Sequence, residues 1–267
     1  MNNIFIHQIY YDEHSRKMLE PEFIPLDNIN GPPDWFEFYP IMEYLKNSSL
    51  EKDAWYGFLS PKFYQKTGIS ATKILSILSR YNDQANVALF SPAWDQLAYF
   101  RNPFEQGEFR HPGLLSTTQK FIDTTHLKID LTKLITHSST AVFSNFIIAK
   151  SDYWDKWLEI ASQFYDYAEQ KSLGETSYLN SKNKLGPMKV FIQERLPSLI
   201  LSQTHFRTLA YDFGQSAPIF DQLFDNTPKT RKMLQACDLL KEKYVSTNDE
   251  SYLQMYLKIR QDINLKK

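Results

Sequence analysis

The chain has 267 residues, of which 42% are hydrophobic, 23% charged and 15% aromatic, and this composition excludes a disordered or fibrous protein. Its length predicts one large domain with a small appendage. The 30 basic and 31 acidic residues leave a formal net charge of −1, so no overall field attracts nucleic acid and we expect no nucleic-acid partner.

Cysteine usage and hydropathy indicate a cytoplasmic location. Cys237 is the only cysteine, which excludes an intrachain disulfide and fits a reducing compartment. Residues 1–17 lack the basic region and long apolar run of a secretory signal. No segment approaches the roughly 20 apolar residues that cross a bilayer. We therefore expect a soluble protein, at most peripheral at the inner face of a membrane.

The first 90 residues alternate between β-branched or aromatic runs and segments with apolar residues at helical spacing. The predicted elements are strands at 4–10, 54–60 and 86–90, and helices at 34–47 and 70–81, the last with Ser70 as its N-cap. This alternation predicts a mostly parallel sheet with right-handed crossovers. Ligands of such sheets bind beyond the carboxyl ends of the strands.

Polar residues follow each of the three predicted strands. They are Tyr10, Tyr11 and Asp12 after the first, Ser60 and Lys62 after the second, and Ser91 and Asp95 after the third. Residues 100–114 come next and predict neither a helix nor a strand, although they are dense in hydrogen-bonding side chains. We expect this loop to overhang the ligand crevice, so that Ser60, Asp95 and Glu108 line one cleft.

The rest of the chain predicts one more strand and several helices. Residues 141–150 predict a buried strand interrupted by Asn145, and residues 151–170 a long amphipathic helix with Ser151 as N-cap. Residues 187–202 predict an apolar helix bent near Pro197. Residues 228–267 carry nine Lys or Arg against five Asp or Glu, a balance of +4, and predict helices with a break near 246–250.

The sequence lacks several catalytic fingerprints. It contains no G-x-G-x-x-G, G-x-x-x-x-G-K-[ST], H-E-x-x-H or G-x-S-x-G motif, which disfavours dehydrogenases, P-loop enzymes, zinc hydrolases and α/β-hydrolases. The carboxylates, amides and aromatic rings at the predicted ligand edge of the sheet suit a sugar, because the polar groups can bind its hydroxyls and the rings can stack on its C–H faces. They also suit a sugar nucleotide, if Lys62, Arg101, Arg110 or His111 neutralises its diphosphate.

Five segments resemble small bacterial GT-A-like glycosyltransferases of surface-polysaccharide gene clusters. They are WYGFLSPKFYQKTG (55–68), VALFSPAWDQ (87–96), NPFEQGEFRHPG (102–113), FSNFIIAKSDYWDKWL (143–158) and KVFIQERLPSLIL (189–201). The resemblance covers roughly residues 1–210. It implies an α/β fold of GT-A type, a mostly parallel sheet flanked by helices, over 1–210, with a helical C-terminal extension over 211–267.

The resemblance also implies an activity, the transfer of a sugar from a nucleotide sugar, in first place a UDP-sugar, to a glycan or lipid-linked glycan acceptor. Glu194 is the first candidate for the catalytic base and Glu108 the second. The candidate donor-binding residues are Tyr10, Ser60, Lys62, Asp95, Gln96, Asn102, Glu105, Gln106, His111, Asn145 and Arg195. The sequence does not distinguish an inverting from a retaining mechanism.

A divalent metal is a further implication of the resemblance, because GT-A enzymes commonly hold the donor diphosphate through Mn²⁺ or Mg²⁺ bound by an Asp-x-Asp motif. No D-x-D occurs in this sequence, and Asp95 is the nearest candidate ligand. Either one carboxylate suffices together with phosphates and water, or side-chain cations replace the metal.

Other interpretations remain open. The missing D-x-D favours a non-catalytic glycan- or nucleotide-binding protein that retains the fold. Glu194 and Arg195 also fit a buried structural ion pair, and Asp95 also fits a helix cap. The basic C-terminal helices fit a peripheral contact with an anionic membrane or a partner enzyme, or simply a solvated face that covers the core.

Overall fold

The computed structural model describes residues 3–173, 177–179, 185–215 and 223–266. Across these residues the protein is an α/β structure. Its strands are β1 (Ile4–Tyr10), β2 (Ile24–Asp27), β3 (Trp55–Leu59), β4 (Val87–Leu89), β5 (Ile147–Ala149), β6 (Ser177–Leu179), β7 (Leu185–Pro187) and β8 (Thr208–Ala210). Its helices are α1 (Glu13–Arg16), α2 (Phe38–Asn47), α3 (Phe63–Thr67), α4 (Ala71–Tyr81), α5 (Trp94–Tyr99), α6 (Pro103–Arg110), α7 (Leu114–Ile122), α8 (Ser151–Gln170), α9 (Met188–Gln193), α10 (Leu196–Gln203), α11 (Pro228–Thr247) and α12 (Glu250–Gln261).

The main sheet has six strands in the order β2-β1-β3-β5-β4-β8, and β6 pairs with β7 separately. Strand β5 is antiparallel to both β3 and β4, whereas the other pairs in the main sheet are parallel. The mostly parallel sheet and the three predicted strands β1, β3 and β4 are therefore confirmed. Because β5 runs in the opposite direction, the residues that precede it lie at the edge where β3 and β4 end.

The connections create a switch point beside β1. The chain passes from β1 to β2 on one side and then returns to form β3 on the other side of β1. In open α/β sheets, ligands bind in the crevice outside the carboxyl ends of strands at such a reversal. The topology therefore predicts a ligand site at the carboxyl ends of β1 and β3.

Residues 100–114 differ from the sequence-based expectation, because α6 occupies much of the predicted loop. Asn102 is its N-cap, with the side-chain oxygen accepting from the amides of Phe104 and Glu105 at 2.9 Å each. Pro103 follows in the first turn. Proline has no backbone N–H to lose there and its fixed φ suits a helix start, so Pro103 favours a helix in a segment for which we expected none.

Two other boundaries also differ. The strand expected over 141–150 is confined to β5, and Asn145 lies before it; Ser144 has a positive φ of 50°. The helix expected over 187–202 is two helices, which meet at Glu194 and Arg195, and Pro197 lies in the first turn of α10. Ser70 caps α4 as predicted, whereas the N-cap of α8 is Lys150, with Ser151 as its first helical residue.

The C-terminal helices α11 and α12 dock onto α5 and the start of α6, which confirms the helical C-terminal region. The buried Lys241 ammonium donates to the carbonyls of Leu97 and Phe100. Tyr256 Oη donates to the Tyr99 carbonyl at 2.7 Å. These bonds satisfy carbonyls left open at the end of α5, because the last carbonyls of a helix lack intrahelical partners. None of the described helices is long and apolar enough to cross a membrane.

Candidate functional site

Charged and polar groups from three other segments surround the Glu194 carboxylate at the carboxyl edge of the sheet. Lys66 comes from α3, directly after β3, and Ser144 from the segment that leads into β5. Glu37 precedes α2. Each of these three interacts with Glu194 electrostatically or through a hydrogen bond. The site therefore forms where the sheet topology places a ligand crevice.

Glu194 is a carboxylate that protein surrounds but that solvent still reaches, with 40% of its side chain exposed. Desolvation raises the pKa of Glu194 above its ordinary value, while Arg195 and Lys66 lower it. Because a large fraction of the side chain is exposed, solvent screens these effects and the carboxylate remains accessible. The Ser144 amide donates to the Glu194 carbonyl at 2.9 Å and fixes the backbone. Glu194 therefore keeps an accessible carboxylate in a partly desolvated environment.

Arg195 is bound mainly to partners other than Glu194. Its Nε donates to the Pro103 carbonyl at 2.8 Å, its Nη1 to the Phe191 carbonyl at 2.5 Å and its Nη2 to Gln106 Oε1 at 2.5 Å. The shortest contact with Glu194, from Nη1 to Oε2, is 3.9 Å, beyond hydrogen-bond length. Burial lowers the pKa of Arg195 to about 10. The two residues thus form a loose contact, and Arg195 serves chiefly to join α9 and α10 to α6.

Three of the predicted donor-binding residues form one buried network. Gln106 Nε2 donates to Gln96 Oε1 at 2.7 Å, and Gln106 Oε1 accepts from Arg195. The exposed fractions are 3% for Gln96, 8% for Gln106 and 4% for Arg195. The structure therefore brings these three together, but they bind one another behind Glu194 and do not present open surface to a ligand.

Three other candidates hold helix ends and inter-helix contacts. Asn102 caps α6 and also donates to the carbonyls of Leu131 and Leu134. The oxygens of Glu108 accept from the amides of Gly113 and Leu115, both at 2.8 Å, at the start of α7.

Glu105 links α6 to the C-terminal helices. Its carboxylate contacts Arg260 Nη1 at 3.0 and 3.2 Å and also accepts from the Arg101 amide at 2.6 Å. In this arrangement the carboxylates of Glu105 and Glu108 both have structural partners.

Asp95 and His111 are buried. Asp95 lies in the first turn of α5 and has no exposed surface, so in this structure it does not line an open cleft with Ser60 and Glu108. His111 is 8% exposed and its ring stacks on Phe191 with centroids 3.6 Å apart. A metal bridging to a solvent-accessible diphosphate does not fit Asp95 as placed. In the described ranges, no group of three or more His, Cys, Asp or Glu side chains is arranged to hold a metal ion.

The remaining candidates lie at the carboxyl edge itself. Lys62 is exposed directly after β3, and its amide donates to Ser60 Oγ at 3.3 Å. Tyr10 ends β1 and its hydroxyl donates to Asp27 Oδ2 at 3.0 Å. Asn145 is partly buried beside Ser144, before β5. These four predicted residues therefore share the edge that carries Glu194.

Sequence reasoning missed Lys66, Glu37 and Ser144. Lys66 lies four residues after Lys62, a spacing that places two cations on one face of a helix, and this signal was available in the sequence. Ser144 could not be identified without the direction of β5. Glu37 occupies the N-cap position of α2, but its side chain makes no capping hydrogen bond.

Comparisons of this chain with models of protein families, with curated proteins and with solved structures find no match.

Proposed function

We propose that this protein is a glycosyltransferase with a GT-A-like fold, which moves a sugar from a nucleotide-sugar donor to a glycan acceptor. The observation that carries the proposal is the Glu194 carboxylate, which is solvent-accessible, has a raised pKa and lies at the carboxyl edge of a mostly parallel sheet. A base of this kind is required to activate an acceptor hydroxyl. The resemblance of residues 1–210 to GT-A-like glycosyltransferases supplies the reaction class.

Glu194 acts as the general base in an inverting reaction. Its carboxylate takes the proton of the acceptor hydroxyl as the oxygen of that hydroxyl forms a bond to the anomeric carbon. The bond between that carbon and the phosphate oxygen breaks, and the nucleoside diphosphate leaves with the electron pair. Arg195, held in place by Gln106, keeps its positive charge near the base without forming a tight ion pair with it.

Lys62 and Lys66 are suited to neutralise the leaving diphosphate. Both side chains are exposed, and both follow β3 at the carboxyl edge. Positive charge placed where the leaving group develops negative charge stabilises the transition state. A divalent cation, when bound, would supply the same neutralisation, but Asp95 is too deeply buried to hold it in this structure.

The substrates follow from the resemblance. We assign a UDP-sugar as the first donor to test and a bacterial surface glycan or its lipid-linked precursor as the acceptor. Such an acceptor would bring the enzyme to the inner face of the membrane, where the basic C-terminal helices could contact lipid or a partner enzyme. Deleting residues 248–267 and measuring salt-sensitive liposome pelleting tests that contact, and unchanged pelleting would contradict it.

The first test is a thermal-shift screen against a panel of nucleotide sugars, with and without Mg²⁺ or Mn²⁺. A bound donor at 100 times its Kd stabilises the fold by about 2.7 kcal/mol. Lys66→Gln should reduce the shift produced by the best donor. Lys73→Gln, which removes an exposed lysine on α4, is the matched control and should leave the shift intact. The absence of any shift with every nucleotide sugar would contradict a donor site. A shift with free glycans alone would favour a binding protein.

A further inference from the structure

Phe36 combines two unusual properties. It leaves 45% of its surface exposed, and its φ is +45°. Left-handed backbone costs a residue with a bulky side chain roughly 1 to 2 kcal/mol. Four non-glycine residues of the described chain have positive φ, and Phe36 is the aromatic one among them. The folded protein therefore holds a strained backbone at a residue whose aromatic ring is partly exposed to solvent.

Two hydrogen bonds hold the chain on either side of Phe36. Asn28 Nδ2 donates to the Phe36 carbonyl at 3.0 Å. Asn28 can occupy its place only because residue 31 is glycine, since a Cβ there would lie 1.8 Å from Asn28 Oδ1. On the other side, Trp35 is 1% exposed and its indole Nε1 donates to Glu169 at 3.0 Å. The residue before Phe36, Trp35, is thus anchored in the core, and Asn28 holds the carbonyl of Phe36 itself.

A further hydrogen bond brings the segment that carries Phe36 against the segment that carries the candidate base. Gln193 Nε2 donates to the Trp35 carbonyl at 3.4 Å, so the residues that follow, Glu194 and Phe36, lie on neighbouring segments. The next residue, Glu37, interacts electrostatically with Glu194. The Glu37 side chain makes no hydrogen bond to the helix that it precedes. The exposed ring of Phe36 and the carboxylates of Glu37 and Glu194 therefore belong to two segments of the chain that lie against each other.

We propose that Phe36 is the stacking platform for the acceptor, and that the acceptor group which binds there is a pyranose ring. This inference rests on the proposed function, because it assigns the acceptor side of the same site. An exposed aromatic ring offers an apolar face to the C–H face of a sugar. Glu37 and Glu194 are placed to accept hydrogen bonds from hydroxyls at the rim of that sugar, and one such hydroxyl is the nucleophile.

Phenylalanine suits this role because it has no polar atom of its own. Its ring contributes contact area and orientation, while the carboxylates contribute the hydrogen bonds. Rigid backbone is an advantage here, since a nucleophile must be held close to its attack geometry. A plain exposed phenylalanine needs no explanation. A strained phenylalanine on a segment that lies against the candidate base does need one.

The test compares a substitution that removes the ring of Phe36 with one that keeps an aromatic ring there. Phe36→Gly removes the ring and also relieves the positive φ, so the relief of strain offsets part of the lost apolar burial and the variant should still fold. Phe36→Tyr keeps an aromatic face. Asn248→Gly, at φ 56° between α11 and α12, is the matched control for strain relief. Phe109→Ala, which removes a ring that is 38% exposed on α6, is the control for loss of an exposed aromatic.

Binding is measured by NMR titration with the methyl glycosides of glucose, galactose, mannose and N-acetylglucosamine, in the absence of donor, and with UDP separately. For at least one glycoside we expect Phe36→Gly to raise Kd about tenfold or more, with Phe36→Tyr and both controls near the wild-type value. UDP binding should not change.

Two results would overturn the inference. One is wild-type protein that binds none of the glycosides or binds them equally well as Phe36→Gly. The other is loss of UDP binding instead of glycoside binding, which would make the ring part of a nucleotide site. Because the assay contains no nucleotide sugar, either result can occur with donor turnover intact. Phe36-dependent glycoside binding by a protein that turns over no donor would instead contradict the glycosyltransferase and retain the platform.

Discussion

Arg195 Nη2 donates to Gln106 Oε1 at 2.5 Å, and this bond joins the junction of α9 and α10 to α6 across 89 residues of sequence. Arg195 is 4% exposed, so its guanidinium depends on protein partners. Glu194 is its direct neighbour in the chain. The position of the candidate base is therefore set by a buried network behind it.

Gly107 provides the space for this network, and Gly107→Ala should disturb it. A Cβ at this position would lie 2.6 Å from Arg195 Nε and 2.8 Å from Leu114 Cδ2. Overpacking of this kind typically costs about 1 to 3 kcal/mol. We expect a loss of that size in urea denaturation, together with reduced turnover.

Gly68→Ala is the control for Gly107→Ala. Gly68 has a φ of 70° but open space around its Cα, so alanine there should cost about 1 kcal/mol through backbone strain alone. Turnover should stay near the wild-type value. Full stability and activity in Gly107→Ala would mean that the network does not position Glu194.

Much of the fold could be predicted from local pattern. Strands β1, β3 and β4 are apolar runs bounded by polar residues, and β1 begins and ends at the predicted residues. Strand β2 was missed because it is short and mostly exposed and contains Pro25, which is typical of an edge strand. The direction of β5 depends on pairing with distant strands, and no local pattern specifies it.

The site was only partly predictable for the same reason. Glu194 and Arg195 could be found because charges inside an apolar segment are conspicuous. The sequence could not show that Glu108 has structural partners, because its two amide partners are brought to it by the turn between α6 and α7. Phe36 carried no sequence signal, since its exposure and positive φ follow from tertiary contacts.

The buried imidazole of His7 should lower the unfolding free energy of the protein in mild acid. Its ring lies between Tyr44 and Phe58, with centroids 4.5 and 5.3 Å away, and neither ring nitrogen has a hydrogen-bond partner among the described residues. Burial lowers the pKa of His7 to about 4. Between its ordinary pKa of 6.5 and about 4, the unfolded chain binds a proton that the folded protein does not, so the unfolding free energy falls as the pH falls.

His7→Phe should remove this loss. Relative to wild type, the variant should gain about 2 kcal/mol more at pH 5 than at pH 8 in chemical denaturation. His14→Gln, which changes an exposed histidine on α1, should show no such difference. An equal effect of His7→Phe at both pH values would mean that His7 is not held neutral in the core.

The buried ammonium of Lys241 should make the unfolding free energy of the protein rise in mild alkali. It has no exposed surface, and burial lowers its pKa from 10.5 to about 8. Above about pH 8 the folded protein releases a proton that the unfolded chain keeps, so the unfolding free energy rises. Burial raises the pKa of Cys237 to about 11, which acts in the opposite direction above its ordinary value of 9. The effect of Lys241 therefore dominates between pH 8 and 9, where the unfolding free energy should rise by about 1 kcal/mol.

Lys241→Met tests this assignment. The variant should be less stable at pH 7, because the carbonyls of Leu97 and Phe100 lose their donor. Its unfolding free energy should lack the rise between pH 8 and 9. Lys243→Met, two residues away on the exposed surface of α11, should keep the wild-type pH dependence. A Lys241→Met protein with that same rise would assign the titration to another group.

The most direct measurement of the central claim compares donor turnover by wild type and Glu194→Gln, using the nucleotide sugar that stabilises the protein most. Release of nucleoside diphosphate should fall by roughly 10² to 10⁴ in kcat, because a positioned base acts mainly in the transition state. The melting temperature and the donor-induced shift should be nearly unchanged, since Glu194 is 40% exposed and 3.9 Å from Arg195. Glu108→Gln, which weakens a helix cap, should instead lower the melting temperature and keep kcat. A folded Glu194→Gln protein that turns over donor at the wild-type rate would contradict the account.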